Sequence, residues 1–173
     1  MENKTTQALV LGGGCFWCTE AAYKLLPGVV SVTSGYAGGT IPDPNYRAIC
    51  EGESDHAEVI RIEFDPATVS LDAVLDYFWK VHNPTTLNRQ GADTGPQYRS
   101  IILYADEAQR AAAEASRDRA QAGWGNGIVT LIEPLETFYS AEDYHQDYFA
   151  RNPHAGYCAA VIRPKIEKLR AHV

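Results

Sequence analysis

Alternating and helical spacings of apolar residues along the chain predict five strands and four helices. The clearest strand covers 57–64, where Glu58, Ile60, Ile62 and Phe64 share one face. The clearest helix covers 71–82, because its apolar residues follow an i, i+3, i+4 spacing behind Ser70, a favourable N-cap. The predicted strands are 7–12, 29–36, 57–64, 98–104 and 128–133, and the predicted helices are 15–26, 71–82, 106–123 and 141–150. Ser140 and Asp143 resemble a capping box that opens the last helix.

The order of these elements predicts an α+β fold. A β-α-β-β-α-β series over 7–104 is typical of a split βαβ, ferredoxin-like two-layer core. Additional helices and an irregular C-terminal tail, rich in Pro, Gly and aromatic residues, are expected to wrap that core. With 173 residues, the chain is expected to form a single domain over 1–173. Two long segments without predicted elements, 37–56 and 83–97, are candidate walls of a binding site or covers for a sheet edge.

Charge and composition exclude several classes of function. The formal net charge is -7 and no basic run is present, which argues against nucleic acid as a partner. No apolar stretch reaches the ~20 residues that a bilayer span needs, and the first residues do not resemble a secretory signal. Four cysteines are too few for a disulfide framework, so we expect a cytoplasmic protein without membrane contact.

The segment from Leu9 to Cys15 has the features of a site that activates sulfur. A short apolar strand is followed by Gly12, Gly13 and Gly14, which allow a sharp turn and a close backbone approach. Cys15 then falls at the first turn of a helix, where unpaired N–H groups and the macrodipole favour a thiolate. We therefore predict that Cys15 is a nucleophile with a depressed pKa. The alternative is a buried structural cysteine.

Cys18 completes a Cys-x-x-Cys sequence that has three interpretations. It is half of a zinc site, the second thiol of a thioredoxin-like pair with Cys15, or a residue of the helix's inner face beside Ala22. A zinc site needs a second pair of ligands, and Cys50 and Cys158 are isolated from other ligand types. No metal is therefore expected.

Further candidate residues lie beside Cys15 and on the predicted strand 57–64. Phe16 and Trp17 are either core residues or an apolar wall for a small methylated group. The carboxyl of Glu58 shares a face with apolar residues, and burial there would raise its pKa and make it a general acid. The alternative is a strand-end carboxylate paired with Arg61, Arg99 or a histidine.

A series of motifs resembles the A-type peptide methionine sulfoxide reductases, which act on the S-epimer of methionine sulfoxide. The matching segments cover most of residues 9–158 in order, and the series is highly specific. They are Gly14-Cys15-Phe16-Trp17, Gly35-Tyr36-Ala37-Gly38-Gly39, Pro44-Asn45-Tyr46-Arg47, His56-Ala57-Glu58, His82-Asn83-Pro84-Thr85-Thr86, Asn88-Arg89-Gln90-Gly91-Ala92-Asp93, Gln97-Tyr98-Arg99-Ser100 and Tyr144-His145-Gln146-Asp147-Tyr148.

The resemblance implies a role for each residue that matches a family motif. Cys15 is the nucleophile, Phe16 and Trp17 form the methyl pocket, and Glu58 is the acid. Tyr46 and Tyr98, which alone would prove nothing, are placed to bond the sulfoxide oxygen, and Asp93 helps to bind the substrate backbone. Attack on sulfur leaves a sulfenic acid on Cys15, which a second thiol converts to a disulfide. The family further implies free, peptide-bound and protein-bound substrate, a thioredoxin-like reductant, no cofactor and a monomer.

The resolving cysteine stays open at this stage. Cys158, in the sequence Asn152-Pro153-His154-Ala155-Gly156-Tyr157-Cys158, resembles the family's recycling cysteine, and a mobile tail favours it. Cys18 departs from the glycine that many members carry there, and it offers a competing local partner. Cys50 resembles a structural position.

Two other classes of function compete with this interpretation. A thiol–disulfide oxidoreductase would use Cys15 and Cys18 as its dithiol but would leave Glu58 and the loop motifs without a role. A non-enzymatic zinc or protein-binding module would leave all of them without one.

Overall fold

A sheet of six strands with helices packed on it organises the computed structural model, which describes residues 5–171. Strands β1 to β8 span Gln7–Gly12, Val29–Ala37, Ala57–Phe64, Arg89–Gln90, Asp93–Thr94, Ile101–Tyr104, Leu131–Pro134 and Tyr139–Ser140. Helices α1 to α6 span Phe16–Tyr23, Tyr46–Cys50, Leu71–Val81, Glu107–Gln121, Tyr148–Arg151 and Arg163–Arg170. Short 3-10 turns lie at Pro96–Tyr98, Ala122–Trp124 and Asp143–His145, and a π-helical turn lies at Cys158–Ile162.

The topology confirms the predicted α+β core. The sheet order is β7-β6-β1-β3-β2-β8, and β4 and β5 form a separate hairpin. Within the central β6-β1-β3-β2 part every pairing is antiparallel, whereas β7 is parallel to β6. Because α1 connects β1 to β2 and α3 lies between β3 and β6, this is the split βαβ arrangement.

Strand β3 explains why the sheet folds as it does. Ile60, Ile62 and Phe64 point to the face covered by α1 and α3, and each is fully buried. Val59, on the opposite face, is also buried, against Leu135 and Phe138 among others. The strand is thus buried on both sides, which fixes its register and leaves the helix-facing carboxyl of Glu58 in the core layer.

Helix α3 forms as its pattern predicts. The hydroxyl of Ser70 accepts a hydrogen bond from the Ala73 amide at 3.0 Å, as an N-cap does. Val74, Leu75 and Phe78 form its buried stripe. The helix thereby holds the core face of β1 and β3 and ends at His82, close behind the glycine turn that precedes Cys15.

The predicted helix 141–150 is wrong. The segment forms the turn Asp143–His145 and then α5, with Asp147 between them in a left-handed conformation at φ 55°. The Gln146 side chain bonds the backbone N–H and C=O of Ser34, each at 2.9 Å, and so occupies the edge of β2 as a strand would. Ser140 lies in β8 rather than in a capping box. Tertiary hydrogen bonds override the local helical pattern here.

Other predicted bounds differ at their ends. The strand predicted at 98–104 begins at Ile101, because the chain before it forms the turn Pro96–Tyr98, and the strand predicted at 128–133 is Leu131–Pro134. The segments without predicted elements hold α2 and the β4–β5 hairpin, and the tail expected to be irregular holds α6. Within residues 5–171, none of the helices combines the length and apolar character needed to cross a membrane.

Gly12 provides a test of how closely β1 and β3 approach each other. A Cβ at Gly12 would lie 2.6 Å from the carbonyl oxygen of Glu58, so Gly12→Ala should lower the free energy of unfolding by about 1–3 kcal/mol through overpacking. Gly123→Ala is the matched control, since a Cβ there meets nothing within 4 Å, and it should change stability by less than about 0.5 kcal/mol. Urea denaturation of both variants measures the difference, and equal stabilities would contradict the prediction.

Candidate active site

All seven residues to which the resemblance assigns substrate binding or reduction line one cavity. It has a volume of about 170 Å³, and an eighth side chain, Tyr157, completes its lining. The seven are Cys15, Phe16, Trp17, Tyr46, Glu58, Asp93 and Tyr98. They come from β3, from the β1–α1 turn, from the two long loops and from the turn before β6, so the fold brings together positions up to 83 residues apart in sequence.

The glycine turn positions Cys15 at the N-terminus of α1. Gly14 has φ +97°, and a Cβ there would lie 2.7 Å from the side chain of Gln90, so no larger residue fits. Cys15 is the N-cap residue, and its carbonyl accepts from the amides of Cys18 at 3.1 Å and Thr19 at 3.4 Å. Its partly exposed side chain lines the cavity, which is not how a structural core cysteine is placed.

The prediction of a depressed pKa for Cys15 is wrong for this reduced structure. A hydrogen bond with the Cys18 thiol, burial and the neighbouring Glu58 raise the pKa of Cys15 well above its usual range. Cys18 has the opposite shift: the hydrogen bond from Cys15, together with Lys165 and Tyr157, lowers its pKa to about 7. The helix-end position alone predicts a lower pKa for Cys15, but the hydrogen bond between the two thiols raises the pKa of Cys15 and lowers that of Cys18.

Glu58 is the buried acid that its strand face predicts. Its carboxyl is 2% exposed, and Oε1 accepts a hydrogen bond from the Phe16 amide at 3.1 Å. Burial raises the pKa of Glu58 to about 8, so the group carries a proton at neutral pH. The alternative pairing with arginine does not occur: Arg61 pairs with Glu63, and Arg99 donates to backbone carbonyls.

Two tyrosine hydroxyls face the same cavity. Tyr46 begins α2, which is capped by Asn45, and its amide donates to Glu142 Oε1 at 3.1 Å. Tyr98 ends the 3-10 turn before β6. Burial raises the pKa of both phenols; a hydrogen bond with Cys50 raises that of Tyr46 further, and the nearby Glu58 adds to the shift of both. Both groups therefore stay protonated and are available as hydrogen-bond donors.

An aromatic and polar network holds the apolar wall in place. The Trp17 ring stacks on Tyr148 with centroids 3.8 Å apart, and its Nε1 donates to His145 Nδ1 at 3.0 Å. Phe16 is fully buried and packs against the same histidine. Burial lowers the pKa of His145, which keeps the ring neutral and Nδ1 free to accept. His145 Nε2 lies 3.3 Å from Glu142, the carboxylate that also binds the Tyr46 amide.

Sequence reasoning missed Tyr157 and the role of His145. The Tyr157 hydroxyl donates to Asp93 Oδ2 at 2.6 Å and lies 3.8 Å from Cys18 Sγ, so it bridges the β4–β5 hairpin to the second thiol. Both residues stand in motifs quoted for the resemblance, but aromatic residues and histidines are common in cores. Only their contacts show that they touch the site.

The other cysteines occupy different environments. Cys158 is fully buried in the π-helical turn Cys158–Ile162, so it does not lie in an extended, exposed tail. Burial, and to a lesser extent Cys18, raises the pKa of Cys158, so the two thiols lie within electrostatic range of each other. Cys50 is exposed at the end of α2. Within residues 5–171, no three His, Cys, Asp or Glu side chains converge as a metal site requires.

Comparisons with known proteins point to one family. The model of the peptide methionine sulfoxide reductase family matches residues 7–173. A relative from Haloquadratum walsbyi, named peptide methionine sulfoxide reductase MsrA, is 53% identical over 165 residues, which is 95% of either chain. The crystal structure of reduced Mxr1 from Saccharomyces cerevisiae superposes with a TM-score of 0.84 at 36% identity, covering 91% of each chain. The same yeast protein in complex with Trx2 gives 0.62 at 28% identity, covering 85% of this chain and 87% of that one.

The raised pKa of Glu58 predicts a specific pH dependence of stability. Between about pH 4 and pH 8 the folded protein holds a proton that the unfolded chain has released, so this group lowers the free energy of unfolding as pH rises. The slope is at most about 1.4 kcal/mol per pH unit. Glu58→Gln has no proton to release. The free energy of unfolding of the variant minus that of the wild type should therefore increase from pH 5 to pH 8. Urea denaturation at both pH values measures it, and a pH-independent difference between the two proteins would contradict it.

Proposed function

The chain belongs to the peptide methionine sulfoxide reductase family, and we propose that the cavity around Cys15 and Glu58 reduces methionine-S-sulfoxide, free or within peptides and proteins. One observation carries the assignment of the site. A nucleophilic sulfur and a carboxyl protonated at neutral pH line one small cavity, and both are tied to the first turn of α1. Reduction of a sulfoxide needs these two groups together, because the sulfur must be attacked while the oxygen takes a proton.

The lining of the cavity supports a binding mode for the substrate. Phe16 and the stacked Trp17 form an apolar wall that suits the sulfoxide's methyl group. The hydroxyls of Tyr46 and Tyr98 donate to the sulfoxide oxygen. Asp93, held by Tyr157, lies at the rim, where a peptide N–H of the substrate would meet a carboxylate.

The chemical step follows from the protons in the site. Cys15 attacks the sulfoxide sulfur as its own proton passes to the Cys18 thiolate, while Glu58 delivers a proton to the oxygen. The tyrosine hydroxyls stabilise charge on that oxygen. Collapse of the adduct releases methionine and leaves a sulfenic acid on Cys15.

The second stage regenerates the Cys15 thiol. We place Cys18 first in order, because its sulfur already lies within hydrogen-bonding range of Cys15. The Cys18 thiol, which has taken the proton of Cys15, attacks the sulfenic sulfur, and that proton leaves with the hydroxyl group as water. Cys158, which is buried in the π-helical turn of this reduced form, is not needed for this step. A thioredoxin-like dithiol completes the cycle; the yeast structure with Trx2 supports this class of reductant.

The remaining proposals concern the whole protein. We place it in the cytoplasm as a monomer whose residues 1–173 form a single domain that repairs oxidised methionine. The single six-stranded sheet, to which the described helices pack, supports the domain assignment. Gel filtration with light scattering reports the oligomeric state directly.

Glu58→Gln tests the role of the acid. The variant keeps the shape and the Phe16 hydrogen bond but has no transferable proton, so single-turnover reduction of a methyl sulfoxide should slow by about 10²–10⁴. Glu20→Gln is the matched control, because Glu20 is another buried carboxyl of raised pKa that does not line this cavity, and its rate should stay within about twofold of the wild type. Cys15→Ser should abolish turnover. A normal rate in Glu58→Gln would remove the carboxyl from the mechanism.

Mass spectrometry of disulfide-linked peptides tests the order of the thiols. After one equivalent of substrate we expect a Cys15–Cys18 bridge in both the wild type and Cys158→Ser. In Cys18→Ser, the first turnover should slow, because Cys15 loses the thiolate that takes its proton, and the sulfenic acid should then accumulate, because regeneration needs a second thiol. Cys50→Ser should leave the disulfide pattern unchanged. A Cys15–Cys158 bridge as the first product in the wild type would reverse the proposed order.

A further inference from the structure

A large groove lies beside the active site between the end of α3 and helix α6. Its volume is about 810 Å³, and aromatic and basic side chains dominate its walls. Trp79 and Trp124 supply the aromatic surface, and Lys80, Lys165 and Lys168 supply the charge. None of the residues that line the groove also lines the substrate cavity.

The charge of this groove is opposite to that of the protein. The chain has a net charge of -7 and contains five lysines, and three of the five line the groove. No Asp or Glu lines it, and within residues 5–171 none of the three lysines forms an ion pair. Unpaired charges of one sign in an acidic protein attract a partner surface of the opposite sign.

The groove adjoins a second cavity that Cys15 and Cys18 line. The groove shares Gln90 and Lys165 with this cavity, which has a volume of about 210 Å³ and also contains Val161. This second cavity contains neither Glu58 nor either of the two tyrosines that face the substrate oxygen. Cys15 is therefore reached from two sides, one built for the sulfoxide and one that also holds Cys18 and is bordered by Lys165 and by Val161, which is 45% exposed.

We propose that the groove docks the protein dithiol reductant through an acidic segment of that partner. The inference rests on the proposed function and names the face used for regeneration. The attacking thiolate of the partner enters beside Val161 and bonds to Cys18 Sγ, which breaks the Cys15–Cys18 bond and releases Cys15 as a thiolate that takes up a proton. The partner's second thiol then displaces Cys18, so the enzyme regains two thiols and the partner leaves as a disulfide.

The position of the groove favours the reductant over the oxidised substrate as its occupant. A peptide whose sulfoxide is held against Glu58 enters from the other cavity, and Asp93 and Tyr157, joined by their hydrogen bond, stand in the wall between the two. A partner that must reach Cys18, in contrast, passes Lys165 and Val161. Exposed apolar area ringed by charge is what a transient protein interface offers.

Removing two lysines that lie away from the chemistry tests the proposal. With an acidic thioredoxin as the reductant, the double variant Lys80→Ala, Lys168→Ala should lower kcat/KM for thioredoxin by about tenfold at low ionic strength, through the association rate. The loss should shrink in 0.5 M salt, where charges more than a few ångströms apart are screened. Turnover driven by dithiothreitol, which is uncharged, should stay at the wild-type rate.

Arg170→Ala provides the matched control. Arg170 lies on the same helix as Lys168, but it lines a different cavity with Glu20 and Asp147, so loss of its charge should leave kcat/KM for thioredoxin unchanged. A binding titration with labelled thioredoxin, carried out without substrate, measures docking independently of turnover.

The outcomes separate the two hypotheses. Failure of wild-type turnover with dithiothreitol counts against the proposed function alone, because the titration still measures the docking face. Equal affinity and kcat/KM in the double variant, the control and the wild type would overturn the docking proposal. A raised KM for an oxidised protein substrate, with thioredoxin kinetics unchanged, would overturn it as well by assigning the groove to the substrate.

Discussion

The hydrogen bond between the Phe16 amide and the buried carboxyl of Glu58 is the contact on which the site depends. It joins the first turn of α1 to β3. The bond forms because β1 and β3 pair closely, and this close approach requires glycine at position 12, where a side chain would collide with the Glu58 carbonyl oxygen. The bond fixes the start of the helix and hence the place of Cys15. It also gives a carboxyl in an apolar layer one donor, which offsets part of the cost of burial without supplying a charge. Glu58 is thereby kept as an acid rather than as half of an ion pair.

The aromatic wall shows the same principle of satisfying polar atoms inside an apolar layer. Trp17 has to present an apolar face to the cavity, yet its indole N–H is partly buried and needs an acceptor. His145 supplies that acceptor because burial keeps it neutral. Glu142 lies 3.3 Å from His145 Nε2 and accepts a hydrogen bond from the Tyr46 amide, so this carboxylate stands between the aromatic wall and the start of α2. The turn Asp143–His145 replaces the predicted helix because a helix would carry His145 and Gln146 away from these partners.

The features that the sequence predicts well are those in which local pattern and burial agree. Strand β3 and helix α3 have a regular apolar period, and the predicted face of the strand and the predicted stripe of the helix are both buried. The residues of the site could be named from motifs, but their electrostatics could not. The pKa of Cys15 depends on a neighbouring thiol and carboxyl, and no helix-end rule includes them. Tyr157 reaches Asp93 across 64 residues of sequence, so only the folded chain shows that it closes the site.

The protonation states of the acid and the thiols must be compatible at one pH. The proposed attack requires a thiolate in the Cys15–Cys18 pair and a proton on Glu58 at the same moment. With a pKa of about 7 for Cys18 and about 8 for Glu58, both conditions are met between those values for a substantial fraction of molecules. If Glu58 were paired with an arginine, its pKa would fall and the acid would be lost before the thiolate formed. Glu58 forms no ion pair with a Lys or Arg of residues 5–171, which keeps its pKa raised, and Cys18 lies near Lys165, which helps to lower its pKa. The proposed step uses the proton of the first group and the thiolate of the second, so the two shifts act together.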